Sequence, residues 1–137
     1  LREELSGIYG GGMYGNLNKN PYNSYSVGVS LPCGPENVDK LIKATLAEID
    51  KIKANGPTIE DLNKVKETWK QQHEVNIKEN AFWARQLLQS VEVGSDPNEV
   101  LTYEQRIAAL TPKEVRDAAA KYLDMKNYVQ IVLNPEK

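Results

Sequence analysis

Cysteine and histidine are almost missing from this chain, with one of each, Cys33 and His73, in 137 residues. A single cysteine excludes an intrachain disulfide and a thiolate metal cluster. It leaves the redox compartment open. A zinc site drawn from this chain alone would join one imidazole to carboxylates, which is a poor donor set. A surplus of charge is missing as well: 17 Lys and Arg against 19 Asp and Glu give a net charge of -2. Without a clustered basic excess there is no electrostatic footprint for nucleic acid. Long apolar runs are also lacking. Stretches such as Tyr128 to Leu133 fall far short of the roughly 20 residues that span a bilayer, and no basic-then-apolar leader opens the sequence. No nucleic acid and no membrane span are therefore expected.

What is present suits one domain with a core, since typical domains run to roughly 100–150 residues. The chain does not begin with Met, and Leu1-Arg2-Glu3-Glu4-Leu5 reads as the end of a helix. The expectation is a partial domain over residues 1–137, a fragment of a longer chain.

Gly7 suits the left-handed position that ends a helix. From Ile8 to Leu17 and from Ser24 to Leu31 the pattern is strand-like, with Val27, Val29 and Leu31 on one face and Ser26, Gly28 and Ser30 on the other. Asn18-Lys19-Asn20-Pro21-Tyr22-Asn23 between them is a turn by composition. The spacing predicts a β-hairpin over 8–31. Pro32, Gly34 and Pro35 break it, and Val38, Leu41, Ile42, Thr45, Leu46, Ile49 and Ile52 then recur at helical spacing. This predicts a helix over about 37–54, lying on the hairpin with one side wet, and Asn55-Gly56-Pro57 stops it. Thr58 and Asp61 resemble a capping box, in which two side chains satisfy orphaned backbone N–H groups. A long helix over 59–92 follows, its apolar stripe interrupted by Gln72, His73 and Asn76, where either a bend or partial exposure is expected. Asp96-Pro97-Asn98-Glu99 and Thr111-Pro112-Lys113-Glu114 repeat the start signal and open helices over 97–110 and 112–123. The β-branched run Tyr128–Leu133 predicts a buried strand over 128–133. The fold class is α+β, a small antiparallel sheet with helices on one face. Three strands are few for that many helices, which again points to strands outside this sequence.

Three pieces in order, Leu1-Arg2-Glu3-Glu4-Leu5-Ser6-Gly7-Ile8-Tyr9, Gly56-Pro57-Thr58-Ile59-Glu60-Asp61-Leu62, and Leu110-Thr111-Pro112-Lys113-Glu114-Val115 followed by Ala118-Ala119-Ala120-Lys121-Tyr122-Leu123, resemble the pitrilysin/insulinase-type (M16) zinc metallopeptidases. The likeness runs nearly end to end. The order carries it, since a Thr-Pro-x-Glu helix start alone occurs in countless proteins. The family's catalytic half bears a His-x-x-Glu-His zinc motif that this sequence does not contain. The chain therefore resembles the second half of a non-zinc-binding domain of the LuxS/MPP-like metallohydrolase fold.

The resemblance implies two related domains closing around a peptide, one holding zinc and base, the other helping to hold substrate. Attack on a peptide carbonyl creates an oxyanion that positioned donors stabilise. By resemblance Tyr9 is that donor, and Arg2, seven residues before it, binds substrate backbone carbonyls through its fixed N–H fork. The expected partners are a peptide substrate and a catalytic M16 half-domain in the same chain or a partner chain. Zinc belongs to that half, and no cofactor is expected here. For a bacterial member of the family, the periplasm or cell envelope is favoured. Two other readings remain: a non-catalytic assembly subunit of the same fold, and a peptide-binding module using the hairpin edge. Gly10-Gly11-Gly12 departs from the family pattern and marks either a substrate-facing edge or a bulge.

Other residues read as structural. His73-Glu74 has Ile77 where a zinc helix needs a second histidine. Trp69, Phe82 and Trp83 sit at near-helical spacing and read as packing anchors. Cys33 has no cation nearby in sequence to lower its pKa.

Overall fold

The computed structural model describes residues 10–134. The chain divides into two compact units, one made of the stretch up to Gly56 with the stretch from Arg116 onward, the other of Pro57–Val115.

The first unit opens with strands β1 (Gly12–Asn18) and β2 (Ser24–Ser30), paired antiparallel in a two-stranded sheet. The register sets Met13 against Val29, Tyr14 against Gly28 and Leu17 against Tyr25. Tyr14 lays its ring where a side chain at position 28 would otherwise stand, so the glycine of one strand is covered by the aromatic of its neighbour. A 3-10 turn at Pro35–Asn37 leads into α1 (Val38–Asn55), whose Leu41 is the most deeply buried side chain of its unit. The helix ends where Gly56, at φ 73°, donates its N–H to the Ile52 carbonyl. That positive φ is the glycine stop expected of Asn55-Gly56-Pro57. Ala119 of α5 (Pro112–Tyr122), a helix that starts in the other unit, is also buried here. Tyr122 meets Tyr25 edge to face at 5.0 Å.

In the second unit Thr58 caps α2 (Ile59–Asn76): its Oγ1 accepts from the Asp61 N–H at 3.0 Å and donates to the Asp61 carboxylate at 2.6 Å. The helix expected over 59–92 is two helices. After Asn76 the chain turns through Ile77-Lys78-Glu79 before α3 (Asn80–Val93). The break is held by the Trp83 indole N–H, which donates to the Ile77 carbonyl at 2.8 Å, and by the Lys78 and Glu79 amides reaching back to Val75 and Asn76. The carbonyl that a continuous helix would pair with an amide four residues on is taken by a side chain instead. Gly94 in the left-handed region closes α3. The expected helix over 97–110 is also divided, into a 3-10 turn at Pro97–Val100 and α4 (Tyr103–Ala109). α4 packs on α2, tied by Lys66 Nζ donating to the Ala108 carbonyl at 2.9 Å. The core of this unit is Leu62, Phe82 and Ile107, with His73 and Ser90 buried among them.

Residues 128–133 form no strand. They belong to neither helix nor sheet, and Val129, Ile131 and Leu133 stand in solvent. A β-branched run becomes a strand only when a neighbour supplies ladder hydrogen bonds, and none of the described residues does. With two paired strands and five α-helices the described chain is α+β.

Candidate functional site

The sequence places its candidate site at the entry to β1. Arg2 and Tyr9, the two residues assigned there, lie outside the described residues. What is described is the ground immediately after Tyr9. Gly11 stands at φ +115°, and a Cβ there would collide with the Ser30 carbonyl and press on Pro32. Only glycine takes that conformation without strain. Gly12, by contrast, has nothing within 4 Å of where its Cβ would be. The glycine run is therefore a bend at which the incoming chain crosses the end of β2, with Gly11 the residue that needs to be glycine.

Beside this bend lies a cleft of about 360 Å³, walled by Gly10–Met13, Val29 and Leu31 of the hairpin and by Thr45, Ile49 and Ile52 of α1, with Leu123 at one end. This corrects the expectation that α1 lies directly on the hairpin. The apolar faces meet across a gap, and Val29 remains 37% exposed. Thr45 Oγ1 is buried without a hydrogen-bond partner among the described residues. Glu48 at the rim is occupied by Lys51, 3.7 Å away. The arrangement offers apolar side chains a seat beside a strand edge that has no partner among the described residues, the geometry by which extended peptides add to sheets.

Metal binding does not fit these residues. No three of His, Cys, Asp and Glu converge among the described residues, and the one imidazole, His73, packs against rings in the other unit. Cys33 is a half-buried free thiol. Sequence reasoning missed the burial of His73, reading it as a polar residue on a long helix. It is 8% exposed, because Phe82 and Tyr103, distant in sequence, close over it. Of the three anchors, Phe82 is buried and Trp83 half-buried, but Trp69 is 44% exposed. No helix among the described residues is long and apolar enough to cross a membrane.

Comparison with known proteins bears on the same stretch. Residues 1–68 match the Peptidase M16 inactive domain family. Over 122 residues, 81% of this chain, the sequence is 24% identical to a zinc protease PQQL-like protein of Arabidopsis thaliana, of whose length it covers 13%. The periplasmic protease PqqL from Escherichia coli superposes with a TM-score of 0.71 at 22% identity, over 90% of this chain and 14% of that one. A protease from Helicobacter pylori does so with a TM-score of 0.59 at 18% identity, over 82% of this chain and 27% of that one. Both structures share the α+β fold. The chain thus spans about one eighth of the length of the relative it matches in sequence and up to about a quarter of the structures.

Proposed function

We propose that this chain, whose residues 1–68 match the inactive-type domain of the M16 peptidases, is the substrate-positioning, non-catalytic part of a zinc-dependent peptidase whose zinc lies in a separate catalytic half. The observation that carries this reading is the family match over residues 1–68, the stretch that contains both Arg2 and Tyr9. The relatives of similar sequence and fold are proteases. Nothing in the described residues supplies the metal, so hydrolysis is assigned to the partner half and this chain contributes hydrogen-bond donors.

In that role the Tyr9 hydroxyl donates to the carbonyl oxygen of the scissile peptide as negative charge builds on it. The Arg2 guanidinium holds neighbouring backbone carbonyls, which its several N–H donors suit. We propose a periplasmic or cell-envelope location by analogy with the periplasmic Escherichia coli protease of similar fold, and release of the native protein by osmotic shock tests it.

The test of the function is Tyr9→Phe in the protein that carries both halves. Loss of an oxyanion donor typically costs about 10²–10³ in kcat, and deleting one hydroxyl leaves the melting temperature close to that of the unaltered protein. Arg2→Ala is expected to act mainly through KM. An unchanged kcat in Tyr9→Phe removes the assignment.

A further inference from the structure

The second unit contains a cleft of about 540 Å³ between α2, α3, the 3-10 turn at Pro97–Val100 and α4. Its volume is in the range of ligand pockets, roughly 300–1,000 Å³. Polar side chains line it; Gln72 pairs with Asn76 and Asp96 with Asn98, and two further groups bear on binding. Arg106 and Glu99 are already engaged with each other: Arg106 Nη1 lies 3.3 Å from the Glu99 carboxylate, and Nη2 donates to the Glu99 carbonyl. The second group is His73, Gln86, Gln89 and Ser90. His73 is more than nine-tenths buried, and its ring nitrogens have no hydrogen-bond partner among the described residues. The half-buried Gln86 and exposed Gln89 carboxamides make no hydrogen bond within the described residues and are open to a ligand. Ser90 gives its proton to the Leu87 carbonyl at 2.8 Å, so its oxygen retains acceptor capacity.

We propose that this cleft is a binding site for a neutral, amide-bearing ligand, a short stretch of extended peptide backbone carrying an apolar or aromatic side chain. Arg106, the one cation of the lining, is paired with Glu99, and the Asp96 carboxylate accepts from Asn98, so no free cation of the lining is left to hold an anionic ligand. The groups left open are amphoteric. A neutral imidazole has one donor and one acceptor, and each carboxamide has both, which is the complement of a peptide's N–H and C=O. The imidazole ring is buried while its nitrogens stay open to the cleft, so a ligand seated there can pair with them directly. The apolar portion meets the rings: Tyr103 lies 4.6 Å from the imidazole centroid, and Trp69 stands half-exposed on the wall. The site shares no residue with the one assigned to Tyr9, so either assignment can fail without the other.

His73 is the only histidine, and its imidazole C–H signals in a proton–carbon NMR spectrum are therefore a single reporter of this cleft. The full 137-residue chain is titrated with N-acetylphenylalaninamide, with glucose and with acetate, up to roughly 20 mM, the range of weak small-ligand binding. The expected result is a saturable displacement of the His73 signals by the amide alone. The dissociation constant should rise at least about fivefold in Gln86→Ala/Gln89→Ala, whose side chains project from an α-helix that keeps its circular dichroism, and should be unchanged in Tyr9→Phe. No displacement overturns the proposal. So does an equal response to glucose, which would make the cleft a polyol site, an equal response to acetate, or an amide response that the double variant does not weaken.

Discussion

Single residues decide how the chain enters β1. Gly11 combines a left-handed φ with a missing Cβ, and any side chain there meets the Ser30 carbonyl. Forcing a non-glycine residue into such a region costs about 1–3 kcal/mol. Gly11→Ala is expected to lower the unfolding free energy by that amount in urea denaturation, whereas Gly12→Ala, with open space around it, stays within about 0.5 kcal/mol. Equal effects at the two positions would show that the bend does not depend on Gly11. The sequence alone marks the three glycines as a departure but cannot say which of them is needed, because the obstacle is the backbone of Ser30, about twenty positions away. His73 was hidden for the same reason. Its immediate neighbours Gln72 and Glu74 are polar and exposed, and only the fold brings Phe82 and Tyr103 to its ring. Arg2 and Tyr9 were legible only through resemblance, since an arginine and a tyrosine seven residues apart carry no physical signal of their own.

Helix starts were the most legible elements, because a capping box is local chemistry written in four consecutive residues. At the start of α5 the Thr111 amide and hydroxyl both donate to the Glu114 carboxylate at 2.8 Å, while the Glu114 amide reaches back to Thr111 Oγ1 at 3.3 Å. The Thr111 hydroxyl, then its backbone N–H, hold the Glu114 pKa below its ordinary value of 4.5; Lys113 and Lys66 add to this, and slight desolvation opposes it. A depressed carboxylate pKa contributes stability that is full above the unfolded pKa and is lost as pH falls through the folded one. The melting temperature of the unaltered chain should therefore exceed that of Glu114→Gln at neutral pH, and the gap should close below about pH 4.5. A gap that persists unchanged to about pH 3 would mean that the ionised carboxylate is not what caps α5. Helix interiors were less legible. Lys78 and Glu79 are good helix formers, so nothing in composition marks the break between α2 and α3. It is Trp83, bonded to the Ile77 carbonyl, that holds it. The run at 128–133 has strand composition without a strand, since pairing depends on another element.

At the scale of the whole molecule, a two-stranded sheet with Tyr14, Leu17 and Tyr25 exposed has too little packing to be stable on its own. An isolated hairpin is marginal in water, and three or more strands or a packed helix are needed to hold one. Here α1 stands across a cleft of about 360 Å³ from the hairpin, so the sheet lacks most of that support. The helical unit differs: Leu62, Phe82 and Ile107 are all under 9% exposed. Local stability should follow this contrast, because amide exchange proceeds through the least costly opening available to each segment. In the isolated 137-residue chain, amides of β1 and β2 are expected to exchange at least about tenfold faster than those around Leu62. The relatives are roughly four to eight times as long as the region matched. If the chain is, as proposed, part of a longer peptidase, strands and side chains from the rest of it are expected to occupy the open edge and the cleft, and hairpin exchange in the longer protein to slow by about a hundredfold, some 2.7 kcal/mol at 1.36 kcal/mol per decade. Amides around Leu62 should change much less, since their burial is complete within the helical unit. If hairpin and helical amides slowed alike, the extension would be stabilising the chain as a whole, and the open edge would not be where the rest of the domain attaches.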